Sequence, residues 1–395
     1  MFPMSGLRIG RVFGIDIVIN ASWLIIFILV GLSLGETFRY ARLPLTPSYA
    51  RAAQFPGGPW PWTIGFVTAV LFFGSLLLHE LSHSFVAKRN GVNIHRITLF
   101  IFGGVAEMSE DVDTANTELK MAAAGPLMTF FIAGVFALLY WLAVSLHAGL
   151  ILLYPLVVLV EINLYVGIFN LLPGFPLDGG RVLRAVIWKR TGDIRKATSA
   201  ASIVGRIIGA GISGVGLFFV LIGQYIGGFW FIIIGYFLFR LAQTANQQTL
   251  FRLAAADTRV GDIMYTDVPV IDSSTALTTL RNHYFTSYRL PGFPVGHDGI
   301  LEGVVNLDDL SRVSPAEWDT LDAGRIAVPL SPDRVVTPNT PLDKVIKLVM
   351  GSEKFLLVMQ DDKVAGMLTR EELVRYVNMR LKLQVSRSDK NDKGT

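Results

Sequence analysis

The chain has 395 residues, of which 52% are hydrophobic and only 17% charged, a balance too apolar for an ordinary soluble domain and typical of a polytopic membrane protein. A net charge of +4 is too small to point to nucleic acid. The chain contains no cysteine, which excludes disulfides and thiolate metal sites, so a metal would have to be held by His, Asp or Glu.

The N-terminal segment lacks a short apolar core followed by a small-residue cleavage site, so no cleaved signal peptide is expected. Residues 7–20 alternate, with Ile9, Val12, Ile15, Ile17 and Ile19 among polar or small neighbours, which suits a short strand or interfacial segment. A first membrane span is expected from about Ile17 to Leu34. A loop rich in Pro, Gly, Arg and aromatic residues then runs from Glu36 to Trp62, and its tryptophans suit a membrane interface.

The second span, Ile64 to Ala87, contains one charged side chain, Glu80, within the sequence His79-Glu80-Leu81-Ser82-His83. On a helix, positions i and i+4 share a face, so His79 and His83 can offer two imidazoles to one metal ion, with Glu80 beside them to accept a proton from water. Ionisable groups inside a span long enough to cross about 30 Å of hydrocarbon are costly unless they serve a site. Two hydrogen-bonded core histidines of a soluble helix are the alternative reading.

After this span, Gly91 to Glu110 is rich in β-branched and aromatic residues and broken at Gly103-Gly104, the pattern of a short membrane-associated β-hairpin. A third span is expected from about Leu119 to Leu146, with a small-residue patch, Ala124-Gly125-Pro126, that would let another helix approach closely. A fourth, about Leu150 to Leu172, runs into the Pro/Gly-broken stretch from Asn170 to Arg181. A basic stretch (Arg184, Lys189, Arg190, Arg195, Lys196) precedes spans five (about Ala200 to Ile222) and six (about Gly227 to Ala245).

With the N-terminus placed in the cytoplasm, the inside connections carry Arg8, Arg11, Lys88, Arg89, Arg96, Lys120, the basic stretch, Arg240 and Arg252. The outside connections carry Arg39, Arg42 and Arg51. The positive-inside rule therefore puts both termini in the cytoplasm. His83 then lies roughly 9 Å along a helix from the cytoplasmic end of its span, so the site is expected within the bilayer near that face.

A catalytic zinc site takes three protein ligands. Asp178, at the cytoplasmic end of span four in a stretch able to fold back, is the best third candidate; an ordinary turn residue before Gly179-Gly180 is the alternative. Glu161 lies too far along span four and stays an unexplained intramembrane charge. His95 follows the span too closely, His147 is expected on the far side, and His283 and His297 fall beyond the membrane part.

Beyond about Asp257 the composition becomes that of a soluble α/β module. Gly303-Val304-Val305 and Gly366-Met367-Leu368 are each preceded by a helix pattern and an apolar strand, and recur at a spacing of roughly 60 residues, which argues for a tandem repeat. The expected domains are 1–250 for the six-helix membrane part, 258–314 and 324–380 for the repeats, and 381–395 for a disordered tail.

Taken together, HELSH in a membrane helix, GGV in the hairpin, AAAGP in span three, NLLPGFPLDGGR after span four, the opening GIDIVINASW and FIIIGYFLFRLAQTA in the last span resemble the site-2 protease family of intramembrane zinc metalloproteases. The tail resembles a pair of cystathionine-β-synthase (CBS) domains. The resemblance implies six transmembrane helices with a soluble CBS pair, and one Zn2+ per chain held by His79, His83 and Asp178. It further implies Glu80 as general base, Asn170 holding the scissile carbonyl or its oxyanion, and a membrane-spanning protein as substrate. An exposed strand could capture an unwound substrate, so Gly103, Gly104 and Val105 are candidate substrate-binding positions, a hairpin that merely packs over the site being the alternative. CBS pairs often bind adenine nucleotides through a Gly-apolar-apolar-Thr-x-x-Asp pattern. Here Asn306 with Asp309, and Thr369 with Glu372, each depart from it at one position. Nucleotide binding and a role in homodimerisation or substrate docking are the two readings of the pair. A CBS-regulated metal transporter and a non-catalytic scaffold are the competing classes; the first predicts repeated polar spans and the second a lost base, and neither feature is apparent.

Overall fold

The structure is a computed structural model that describes residues 6–40, 58–100, 103–108, 112, 114–255, 258–351 and 354–380. The tail expected over 381–395 and most of the loop between Glu36 and Trp62 lie outside the described residues. The chain divides into two compact units, residues 2–247 and 248–395.

In the first unit the alternating N-terminal residues form two antiparallel strands, β1 (Gly6–Val12) and β2 (Ile15–Asn20), followed by α1 (Ala21–Tyr40). The first span thus begins at Ala21 rather than Ile17, because Ile15, Ile17 and Val18 are buried as strand residues. Helix α2 (Trp60–Arg89) carries the histidines. It is followed by β3 (Ile94–Phe100) and β4 (Gly103–Met108), the expected hairpin, with Gly103 at a φ of +125° that favours glycine. The hairpin does not stand alone. β3 runs parallel to β2, and the sheet order is β1-β2-β3-β4, which leaves β4 at an edge. Ile94, Ile97 and Leu99 of β3 pack with Leu81 and Ala87 of α2 and Met121 of the next helix, so the sheet rests on the part of α2 that bears the site.

Helices α3 (Ala115–Ser145), α4 (Leu150–Asn170), α5 (Asp178–Thr191), α6 (Ile194–Leu221) and α7 (Tyr225–Ala255) complete the series. Among the described residues six helices, α1 to α4, α6 and α7, are long and apolar enough to cross a membrane. The apolar residues divide between two environments. Leu24, Ile25, Ile28 and Leu29 of α1 are exposed, as suits lipid-facing side chains, whereas Leu34 and Phe38 are buried with Ile64, Ala69, Leu153 and Tyr154. Helix α5 is short and amphipathic and lies where the sequence reading had a turn running into a basic stretch. Its apolar side buries Ala185, Gly179 and Gly180, and its C-terminus is closed by Gly192 at a φ of +68°.

The second unit holds two matching three-stranded sheets. One has the order β5 (Ile271–Asp272), β6 (Gly292–His297), β7 (Ile300–Asn306); the other has the order β10 (Lys363–Thr369), β9 (Phe355–Gln360), β8 (Val335–Val336). Each sheet pairs a short parallel strand with an antiparallel hairpin, as a repeat requires. The repeats trade chain segments. Tyr265 exchanges both backbone hydrogen bonds with Met367 at 2.8 Å, and Val328 does so with Val304 at 2.9 Å. Val304, Phe355, Leu357 and Met367 form a common core between the two sheets. Phe251 and Ala255, in the last turn of α7, join the core of the second repeat beside Val345, Leu356 and Leu373.

Candidate metal centre

His79 and His83 stand one turn apart on α2, both buried, with their rings edge to face at 4.8 Å between centroids. Their Nε2 atoms are 3.1 Å apart. Asp178, the first residue of α5, brings Oδ2 to 3.2 Å from His79 Nε2 and 3.1 Å from His83 Nε2. The three ligand atoms lie within 4.8 Å of one another, the single such group of three or more His, Asp or Glu among the described residues.

The partners of the other ring nitrogens select a tautomer for each histidine. His83 Nδ1 lies 2.6 Å from the carbonyl oxygen of Met121, which can only accept, so Nδ1 carries a hydrogen and in the neutral ring Nε2 keeps its lone pair. His79 Nδ1 lies 2.8 Å from Thr129 Oγ1, whose own hydrogen is donated to the Gly125 carbonyl at 3.2 Å; Thr129 must therefore accept, and His79 takes the same tautomer. With both rings neutral, two imidazole lone pairs and a carboxylate oxygen converge, a donor set that suits a divalent cation. Tetrahedral bonds of about 2.0–2.1 Å imply a ligand-to-ligand edge of roughly 3.3 Å, close to the separations seen.

The walls are shaped to this cluster. A Cβ on Gly125 of α3 would run into His83 Nε2 and stand 2.7 Å from His79 Cε1. A Cβ on Gly104 of β4 would stand 2.5 Å from Cγ and 2.8 Å from Cδ of Glu80, so the edge strand passes directly against that carboxylate's stem. Sequence reasoning saw Gly125 only as a place for helix approach. It missed Thr129 and Met121, which no motif announces.

The other predicted site residues fall as follows. Asn170 ends α4, half-buried, and among the described residues no hydrogen bond joins it to the three ligand atoms. Gly103, Gly104 and Val105 open β4. Glu161 is half-buried in the interior of α4. In the repeats, Asp309 Oδ2 accepts from the Asn306 backbone N–H at 3.0 Å, and Thr369 Oγ1 accepts from the Glu372 N–H at 3.2 Å. Both pairs close the start of a helix, at Leu307–Ser311 and at 370–380.

Residues 67–150 and 144–212 match peptidase family M50, and residues 260–316 and 326–378 each match the CBS domain. The "Putative zinc metalloprotease Rip3" of Mycobacterium tuberculosis is 30% identical over 378 residues, covering 95% of this chain and 93% of the relative. The chain belongs to peptidase family M50 and is a zinc metalloprotease. A further relative, the "Putative zinc metalloprotease sll0528" of Synechocystis, is 31% identical over 389 residues, covering 95% of this chain and 96% of its own. Among solved structures, the site-2 protease from Methanocaldococcus jannaschii is 30% identical, covering 61% of this chain and 95% of that one at a TM-score of 0.39. Family and apolar helices together make this M50 protein a multi-pass membrane protein with a CBS pair.

Proposed function

We propose that the chain is an intramembrane endopeptidase that cuts transmembrane segments of membrane-anchored proteins, with one zinc ion held by His79, His83 and Asp178. The observation that carries the reading is the convergence of two imidazoles, on a helix long and apolar enough to cross a membrane, with the Asp178 carboxylate at the start of the short helix α5. When bound, zinc supplies a Lewis acid that polarises the scissile carbonyl and acidifies water. Thr129 and the Met121 carbonyl hold the rings by Nδ1, which leaves Nε2 of each to bind the metal. Glu80 accepts the proton of the attacking water and delivers it to the leaving amine. Asn170 is assigned to the oxyanion, its amide donating as charge develops on the carbonyl oxygen.

A transmembrane helix hides its amides, so the substrate must be unwound and held extended. Gly103, Gly104 and Val105 are assigned to that task. β4 is a sheet edge with unpaired backbone groups, and it runs past Glu80. Both termini and the CBS pair are assigned to the cytoplasm, with 1–250 as the protease domain and 258–314 and 324–380 as the repeats. The pair is assigned to regulation or homodimerisation. An adenine nucleotide near Asn306, Asp309, Thr369 and Glu372 would have to bind without displacing their hydrogen bonds at the helix starts. Mass spectrometry of products from single-span proteins co-reconstituted in liposomes tests the reading: cuts within the apolar span are expected, and cuts confined to soluble flanks would contradict it.

A further inference from the structure

Glu118, in the first turn of α3, is fully buried. Its Oε1 accepts from Nε of Arg184 on α5 at 2.7 Å and also from Nη2 of the same guanidinium, while Nε of Arg181 lies 3.9 Å away. Its Oε2 has no hydrogen-bond partner among the described residues, and the partners of Oε1 named above both belong to α5. Arg184 also stacks over Phe175 at 5.2 Å, and the Phe175 N–H donates to the Ala201 carbonyl of α6 at 3.2 Å.

These contacts bear on the metal cluster because the same two helices supply its parts. α3 provides Met121 and Thr129, which hold the two imidazoles. α5 provides Asp178, and Arg184 follows it by roughly 9 Å along the helix axis. A short helix carrying a ligand at its first residue can lose that ligand by a small rotation, since one residue's slip turns a side chain by about 100°. A buried, forked ion pair resists such rotation more effectively than apolar packing does, although it adds little net stability over apolar side chains of similar size.

We propose that the Glu118–Arg184 ion pair is a positioning pair for the metal centre, locking α5 to α3 so that Asp178 stands at the two imidazoles. The proposal rests on His79, His83 and Asp178 being the zinc ligands. Neither residue touches substrate or metal; they act through Asp178.

The test is zinc affinity, measured by chelator competition on the purified full-length protein, with thermal unfolding recorded for every variant. Glu118→Gln and the double variant Glu118→Met with Arg184→Met are expected to bind zinc about 10- to 100-fold more weakly. Arg184→Lys, which keeps the charge but loses the fork, should fall between these and wild type. The double variant should unfold at or above the wild-type temperature, which separates positioning from stability. Wild-type zinc affinity in the folded double variant would overturn the proposal. So would failure of all three variants to fold, because the pair would then be holding the fold and not the ligand. Wild-type protein without zinc, or His79→Ala with zinc retained, would instead overturn the ligand assignment itself.

Discussion

The tautomers of His79 and His83 are set by partners that the sequence does not mark. His-Glu-x-x-His and a nearby Asp are legible because their chemistry and spacing are unusual inside an apolar run. Thr129 and the Met121 carbonyl are not, since a threonine in a membrane helix ordinarily bonds its own backbone, and Thr129 does that too. Thr129→Val keeps the shape and removes the oxygen that accepts from His79. It should weaken zinc binding about 10- to 100-fold while leaving the protein folded, as read by chelator competition. Gly125→Ala tests the wall. The added methyl would meet both rings, so zinc binding should fall by at least about tenfold, and unchanged affinity would show that α3 can withdraw. Asp178 was left between ligand and turn residue by its own residue type. The backbone that carries it to the histidines made the difference, and that path is long-range.

Among the elements, the long helices were legible because each is a continuous apolar run; their ends were missed where a strand adjoined them, as before Ala21, or where the helix runs on past the apolar run, as from Ala245 to Ala255. The four-stranded sheet was half visible. The hairpin after α2 is rich in β-branched and aromatic residues, but its pairing with β2 joins segments far apart in sequence, as at Asp16 with Arg96 and Ile19 with Leu99. Helix α5 was hidden because Pro173, Gly174, Pro176, Gly179 and Gly180 read as breakers, whereas the two glycines serve close packing. A Cβ on Gly180 would stand 2.4 Å or less from the backbone of Gly174 and Phe175. The edge strand yields a prediction of its own. Successive N–H groups of β4 alternate between β3 and the open edge, so one of Val105→Pro and Ala106→Pro removes an outward donor and spares the ladder. That variant should keep its zinc yet cleave at least about tenfold more slowly; full cleavage by both would rule out strand addition.

For the whole molecule, composition alone announced a membrane protein, and the tandem spacing of Gly303 and Gly366 announced the second unit. What no repeat spacing conveys is the exchange of segments, with Tyr265 bonded to the second sheet and Val328 to the first. Orientation is open to direct test because the chain has no cysteine. Single cysteines at Gly192 or Asp298 should be labelled by an impermeant thiol reagent only in inverted vesicles, and those at His147 or Gln224 only in right-side-out ones; the reverse pattern would refute the assigned topology.

The central claim is that a zinc site inside the membrane uses Glu80 to cut a transmembrane segment. The most direct test reconstitutes wild type and Glu80→Gln in liposomes with single-span proteins and measures both bound zinc and cleavage. The account predicts about one zinc per chain in both proteins and, in the variant, a cleavage rate lower by about 10²- to 10⁴-fold. A wild-type protein that binds no zinc, or a Glu80→Gln variant that cleaves at the wild-type rate, would contradict it.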